Sequence, residues 1–311
     1  MQVRWPEFLR RKIRHDMRAG IAASAEHVSL AVVRRSTDGK PHLLHCAVAP
    51  AAMGYADGAL RKLLREYDPG TAPVSAVIGA DDYQLAQIPA PDVPDAEMRA
   101  AARWRMRDVI DFALDDSTID VFDVPERRDV AARRNLFAVA TRGDVPQFIA
   151  MSLQKLTRHL DVIDIPELCQ RNLCTLLPQD TKGLAFVMLR EDHAQLVLVR
   201  QGRLFVTRRF DFEAGLEGRS LDAGALALEL QRSLDYYETH FDQPAITDLL
   251  VAPASALSPV LSEEIAALTG LKVHPLALHE HLAVTEGAQI PDGWLPTLAI
   301  GAALRMPGAA A

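Results

Sequence analysis

The sequence predicts a two-domain α/β protein with a small α/β unit inserted in the first domain. Three observations lead there. The 311 residues suffice for two domains of ordinary size. A three-stranded meander opens at Ala19, and a second opens at Gly183. Strand and helix signals alternate after each meander, as in layered α/β architectures. Shifting the first half by 166 residues lays 21–27 over 187–193. His27/His193, Leu30/Leu196, Val33/Val199 and Arg34/Arg200 then coincide, which suggests an internal duplication.

The elements follow in order. Residues 1–18 read as a basic amphipathic arm, with Trp5, Phe8, Leu9, Ile13 and Met17 on one side and arginines on the other. Residues 20–24, 28–34 and 43–48 form the first meander, with a polar turn at 25–27 and Asp38-Gly39 between the last two strands. Residues 56–67 form a helix that buries Leu60, Leu63 and Leu64 and stops at Pro69-Gly70. Val74 begins a short, continuously apolar strand of the buried kind. The inserted unit is expected at about 80–165, as strand 83–88, a helix from Asp95, strands 119–124 and 136–141, a helix from Asp144 and a last strand at 162–165. A helix at 167–177 and the Pro178-Gln179-Asp180 boundary close the first domain at about 182.

The second meander comprises 184–190, 195–200 and 204–210. Helix 226–240, strand 248–252, helix 259–269 with Gly270 as its stop, and helix 297–305 complete the second domain, 183–306. Residues 307–311 read as a frayed tail.

Composition narrows the function classes. The chain carries −7 overall, but 1–18 holds six basic residues against two acidic ones. The body is therefore acidic, and nucleic acid is not an expected partner. Within the arm, Trp5, Phe8, Arg10, Arg11, Lys12 and Arg14 are candidate contacts to an anionic membrane surface. Docking of the arm on the body, or no fixed structure, are the alternatives. No run reaches the length of a membrane span, and the N-terminus lacks the apolar stretch of a secretory signal. The unpatterned Cys46, Cys169 and Cys174 suggest a reducing compartment and small buried hydrophobes rather than a metal site. His279 and His281 sit at i and i+2, which do not share a helix face, so they read as surface residues. Asp115-Asp116 and Asp120/Asp123 could form a paired-carboxylate site but read as turn and strand-edge acids; Arg208-Arg209 could pair with Asp211 or Glu213 and reads as solvated. No nucleophile motif, GxGxxG or P-loop is present.

Several stretches carry a family resemblance. The helix Leu228-Glu-Leu-Gln-Arg-Ser-Leu-Asp-Tyr-Tyr-Glu238 resembles that of PilM-type pilus assembly proteins. Asp161-Val-Ile-Asp-Ile-Pro-Glu-Leu-Cys-Gln-Arg-Asn172, Ile119-Asp-Val-Phe-Asp123 and Ala299-Ile-Gly-Ala-Ala-Leu-Arg305 resemble the MshI branch. The resemblance spans roughly residues 18–306. It implies the actin-like (hexokinase-type) fold, with 80–165 as the small subdomain shared with FtsA.

It also implies where nucleotide chemistry would sit. The superfamily holds Mg-ATP with an Asp-x-Gly triplet in a hairpin of each domain. The Asp orders metal-bound water, and the Gly lets backbone N–H groups approach the phosphates. The matching triplets here are Ala22-Ala23-Ser24 and Met188-Leu189-Arg190. Ala22 and Met188 lack the carboxylates, and Ser24 and Arg190 replace the glycines. The adenosine loop, Leu250-Val-Ala-Pro-Ala-Ser255, has no glycine either. Glu229 and Arg232 survive on the helix that contacts ribose and purine in the superfamily; an i, i+3 ion pair is the simpler reading.

The expectation is therefore a non-catalytic cytoplasmic adaptor of a type IV or MSHA-type pilus, peripheral at the inner membrane, with no metal and no tight ATP binding. The implied partner is the N-terminal tail of a PilN-like bitopic inner-membrane protein, gripped between the first domain and its insertion. The alternatives are an ATP-binding switch with unusual phosphate loops and a GspL-like component of a type II secretion platform. GspL normally continues into a membrane span, and this chain ends at Ala311 without one.

Overall fold

The computed structural model describes residues 16–35, 40–125, 134–157, 159–190, 192–211 and 222–306. The first sheet is built from β1 (Met17–Ala23), β2 (His27–Arg34), β3 (His42–Pro50), β4 (Val74–Val77) and β8 (Leu160–Asp164) in the order β3-β2-β1-β4-β8. The second uses β9 (Leu184–Leu189), β10 (His193–Arg200), β11 (Arg203–Asp211), β12 (Asp248–Ala252) and β13 (Lys272–Pro275) in the order β11-β10-β9-β12-β13. In each, the meander is antiparallel and the last two strands are parallel.

The two sheets agree in register as well as in order. Ala23 faces Val28 in one hairpin and Leu189 faces Ala194 in the other, an offset of 166 residues at both positions. The third strand of each meander carries one extra residue at the matching step of the second, Leu44 opposite Val32–Val33 and Phe205 opposite Leu198–Val199. A bulge bends its strand and increases the local twist, so two coincident bulges strengthen the case for duplication.

A third sheet, β5 (Tyr83–Pro89), β6 (Ser117–Asp123) and β7 (Asn135–Arg142) in the order β5-β7-β6, carries α2 (Met98–Arg105) and its own small core of Ile88, Met98, Ala102, Met106 and Leu136. Tyr83 pairs with Thr141, so this unit leaves and rejoins the chain at adjacent points. It is shorter than the 80–165 read from sequence. The strand expected at 162–165 is β8, and its parallel pairing with β4 puts it in the first sheet. The helix before it, α3 (Asp144–Gln154), occupies the same topological place as α6 (Pro259–Thr269) in the second half.

The arm also ends earlier than read. Met17 and Arg18 are buried in β1, and the Arg18 guanidinium donates to Asp161 at 2.7 Å and to Ser75 Oγ at 3.1 Å. Trp5, Phe8, Arg10, Arg11, Lys12 and Arg14 lie outside the described residues, as do 307–311.

Helix starts are encoded locally. Asp57 accepts from Ala59 N at the start of α1 (Gly58–Glu66), Asp222 from Gly224 N at α5 (Ala223–Phe241), and Ser258 from Leu261 N at α6. Two helices have almost no exposed face. Every residue of α4 (Pro166–Cys174) is buried, as is α8 (Trp294–Ala303) from Leu295 onward. They pack on each other, α4 against the second sheet and α8 against the first. A Cβ on Gly20 would meet backbone atoms of Ala299 and Ala303, and one on Gly301 would meet the Cys169 carbonyl. The missing Cβ atoms of these two glycines thus set how closely α8 approaches β1 and α4. After α7 (Leu278–His281), β14 (Ala283–Val284) pairs with β3, returning the chain to the first sheet.

Candidate functional site

A cleft of about 1170 Å³ opens between the two hairpin turns, bounded by the β4–β5 loop, the start of α3 and the start of α8. Each wall has a local cause. The turn after β1 is closed by Ser24, whose Oγ accepts from Glu26 N at 3.3 Å and His27 N at 3.0 Å. Those two N–H groups therefore point at a side chain of their own turn. In both hairpins the turn is pinned by the same backbone bond, Ser24 N to His27 O at 2.8 Å and Arg190 N to His193 O at 2.9 Å.

Arg190 enters the cleft from the second half. Its guanidinium lies 3.8 Å from the centroid of the Trp294 ring at the start of α8, a cation–π contact that joins the second hairpin to a helix packed on the first sheet. Behind it His193, almost fully buried, meets Asp192 Oδ1 through Nδ1 at 2.7 Å. Burial, reinforced by the Arg190 charge, lowers the His193 pKa below its ordinary value.

The cleft's charge comes from segments far apart in sequence. Glu26, Asp81, Asp82, Asp144, Asp192 and Asp292 line it, against the single guanidinium of Arg190. Burial, then the neighbouring Asp81, raises the Asp82 carboxyl above its usual range. Asp81 receives Arg209 of β11 at 2.7 Å, and Arg209 also donates to Ala80 O and pairs with Asp211. Arg209 stays exposed and makes the pair with Asp211 that its sequence position allows, and it also bridges the halves. Below the cleft Tyr83 donates to Glu167 at 2.6 Å, tying the inserted sheet to α4. Burial raises the Glu167 carboxyl against the pull of this hydrogen bond.

The sequence-derived positions are distributed unevenly. Ser24 and Arg190 line the cleft; Ala22 and Met188 are buried in their strands, each about 1% exposed, and do not. Glu229 and Arg232 form an ion pair at 2.8 Å on α5, outside the cleft lining. The stretch 250–255 ends β12 and begins a short 3-10 turn, Ala254–Ala256, away from the cleft walls. Asp120 pairs with Arg99, and Asp123 with Arg134, on the inserted unit. Among the described residues no group of three His, Cys, Asp or Glu side chains could hold a metal. Of the cleft acids, sequence reading singled out none as a site residue; Asp144 was read only as a helix start. One turn directs N–H groups at Ser24, and the other sets the Arg190 side chain in the cleft.

Two duplicated α/β halves meeting at a hairpin-lined cleft, with a small sheet inserted in the first, define the actin-like fold. Among solved structures, a PilM-PilN type IV pilus biogenesis complex matches over 92% of this chain and 97% of that one, with TM-score 0.69 and 18% identity. The cytoplasmic domain of EpsL, an inner-membrane component of the type II secretion system of Vibrio cholerae, matches over 93% and 94%, with TM-score 0.50 and 12% identity. A Bacteroides thetaiotaomicron protein with an actin-like ATPase fold also matches, at TM-score 0.49 and 10% identity over 86% and 92%. No protein-family model and no curated protein matches the sequence. The PilM-like architecture expected from the sequence is present; identities this low establish the fold. No helix among the described residues is long and apolar enough to cross a membrane.

Proposed function

We propose that the chain is a non-catalytic adaptor of a type IV pilus or related secretion assembly platform, working at the cytoplasmic face of the inner membrane. In this reading it holds the cytoplasmic tail of a PilN-like membrane protein between the first half and the inserted sheet. The observation that carries the proposal is the near full-length match to the PilM-PilN structure. The chemistry of the hairpins supports the non-catalytic part. Phosphate transfer needs ordered metal waters and N–H donors aimed at the transferring group, and the two turns direct their groups elsewhere.

Capture from solubilised inner membranes with the tagged chain tests the partner. Deleting 84–140, which leaves Tyr83 on Glu167, is expected to abolish capture while the second half stays folded. Undiminished capture by the deleted chain would move the grip elsewhere. A second reading, a nucleotide-binding switch, draws on the size of the cleft and its carboxylates. Isothermal titration with Mg-ATP separates the two: the adaptor reading expects no magnesium-dependent binding in the micromolar range.

A further inference from the structure

We propose that the interdomain cleft is a binding site for a basic, apolar-flanked extended peptide, and that this ligand class takes the place a nucleotide holds in a phosphate-binding cleft. The first ground is charge. Six carboxylates and one guanidinium line the described part of the cleft, which opposes a polyphosphate and favours a cation. Arg209 offsets Asp81, and His193 holds Asp192; Glu26, Asp82, Asp144 and Asp292 remain as the acidic rim, with Arg142 3.6 Å from Asp144 and also acting on Asp82.

The second ground is apolar and independent of the first. Met53 is 67% exposed and Phe148 51% exposed, and both line this cleft together with Trp294. Large exposed side chains gathered in a concavity mark a binding surface more than scattered ones do. A metal ion does not suit the site, since no three of the described carboxylates converge. A simple polyamine would satisfy the acids and leave Met53 and Phe148 bare. An extended peptide sends alternate side chains to opposite sides, so one with basic and apolar residues in alternation meets the rim with one set and the apolar wall with the other. A volume of about 1170 Å³ accommodates several residues of such a chain.

Fluorescence anisotropy on the full chain tests this with a short labelled peptide alternating leucine and arginine. A leucine–glutamate peptide and labelled ATP with Mg²⁺ serve as the competing probes. The arginine peptide is expected to bind, and its affinity to fall steeply in about 1 M salt, where the screening length is about 3 Å. Glu26→Gln with Asp144→Asn and Asp292→Asn should weaken it about tenfold or more. Phe148→Ser, at an exposed position, should weaken it several-fold. Asp235→Asn with Glu238→Gln, removing exposed acids on α5, should leave it unchanged. Equal loss in the α5 variant would show attraction to the acidic body as a whole and overturn the site. So would tighter binding of the glutamate peptide or of ATP, or no binding of the arginine peptide. Capture of a membrane partner by a chain that ignores the arginine peptide would leave the adaptor reading standing and remove this one.

Discussion

At Arg305 a single side chain closes the chain's last helix onto its first sheet. Its guanidinium meets Asp164 Oδ2 at 2.7 Å, with side-chain exposures of 10% and 2%. Removing one partner strands the other charge in the core, so Arg305→Ala is expected to cost about 3–5 kcal/mol, read from the denaturant midpoint; a loss under about 1 kcal/mol would mean that water reaches Asp164. Glu167 gives a pH signature of the opposite kind. Its folded pKa is raised by burial, so the folded state favours the protonated form. Stability from this group is full below the unfolded value, about 4.3, and is lost as pH rises through the folded pKa. Glu167→Gln keeps an acceptor for Tyr83 and never ionises. Its stability relative to the unaltered protein should therefore climb as pH rises above about 4.3 and then level off; a pH-independent difference would place the carboxylate in contact with solvent. Neither residue was legible as a pair beforehand. Arg305 and Glu167 each sat inside a quoted motif, but their partners are 141 and 84 positions away, and no local spacing encodes such a contact.

The hairpins are the elements on which local reading worked and the interpretation of side chains did not. Polar turns between apolar runs placed both meanders, because turn chemistry and period-2 burial are local properties. Residue 17 shows the limit. Met17 fits a helical apolar face with Phe8 and Ile13, yet β-pairing with Arg34 claims it, since tertiary pairing overrides a weak local pattern. Strand β8 shows another: its sequence signals a strand but not which sheet it joins. Burial at 22 and 188 changes what a repaired hairpin would do. Both positions are about 1% exposed, so Ala22→Asp with Met188→Asp would bury carboxylates in strand cores rather than aim them into the cleft. An unpartnered buried carboxylate, together with the lost Met188 packing, should cost at least about 2 kcal/mol per site. The double variant is expected to unfold at lower denaturant and to gain no Mg-ATP binding by calorimetry. A stable variant that acquired magnesium-dependent ATP binding would show that these side chains do reach the cleft.

On the scale of the molecule, the two halves are joined by an exchange of helices and by bridges across the cleft. The α4 helix ends the first half but packs on the second sheet, and α8 ends the second but packs on the first. This pair forms a buried spine that the duplicated sheets share, so the halves cannot separate without exposing its apolar side chains. The other contacts between the halves are of another kind: at the cleft Arg190 on Trp294 and Arg209 on Asp81 and Ala80, and on the inserted sheet Tyr236 OH 3.4 Å from Gln87 Oε1. They are polar and partly exposed, and an exposed ion pair contributes only about 0.2–1 kcal/mol. The arrangement is therefore rigid at the spine and weakly latched at the mouth. Arg209→Ala separates these two contributions. The denaturant midpoint should move by less than about 1 kcal/mol, because the spine is untouched. Hydrogen exchange at the amides of Asp81 and Asp82, in the loop that Arg209 holds, should quicken, while amides of α4 and α8 keep their protection. Faster exchange along α8 as well would mean that the latch holds the spine together, and unchanged exchange at Asp81 and Asp82 would mean that it holds nothing.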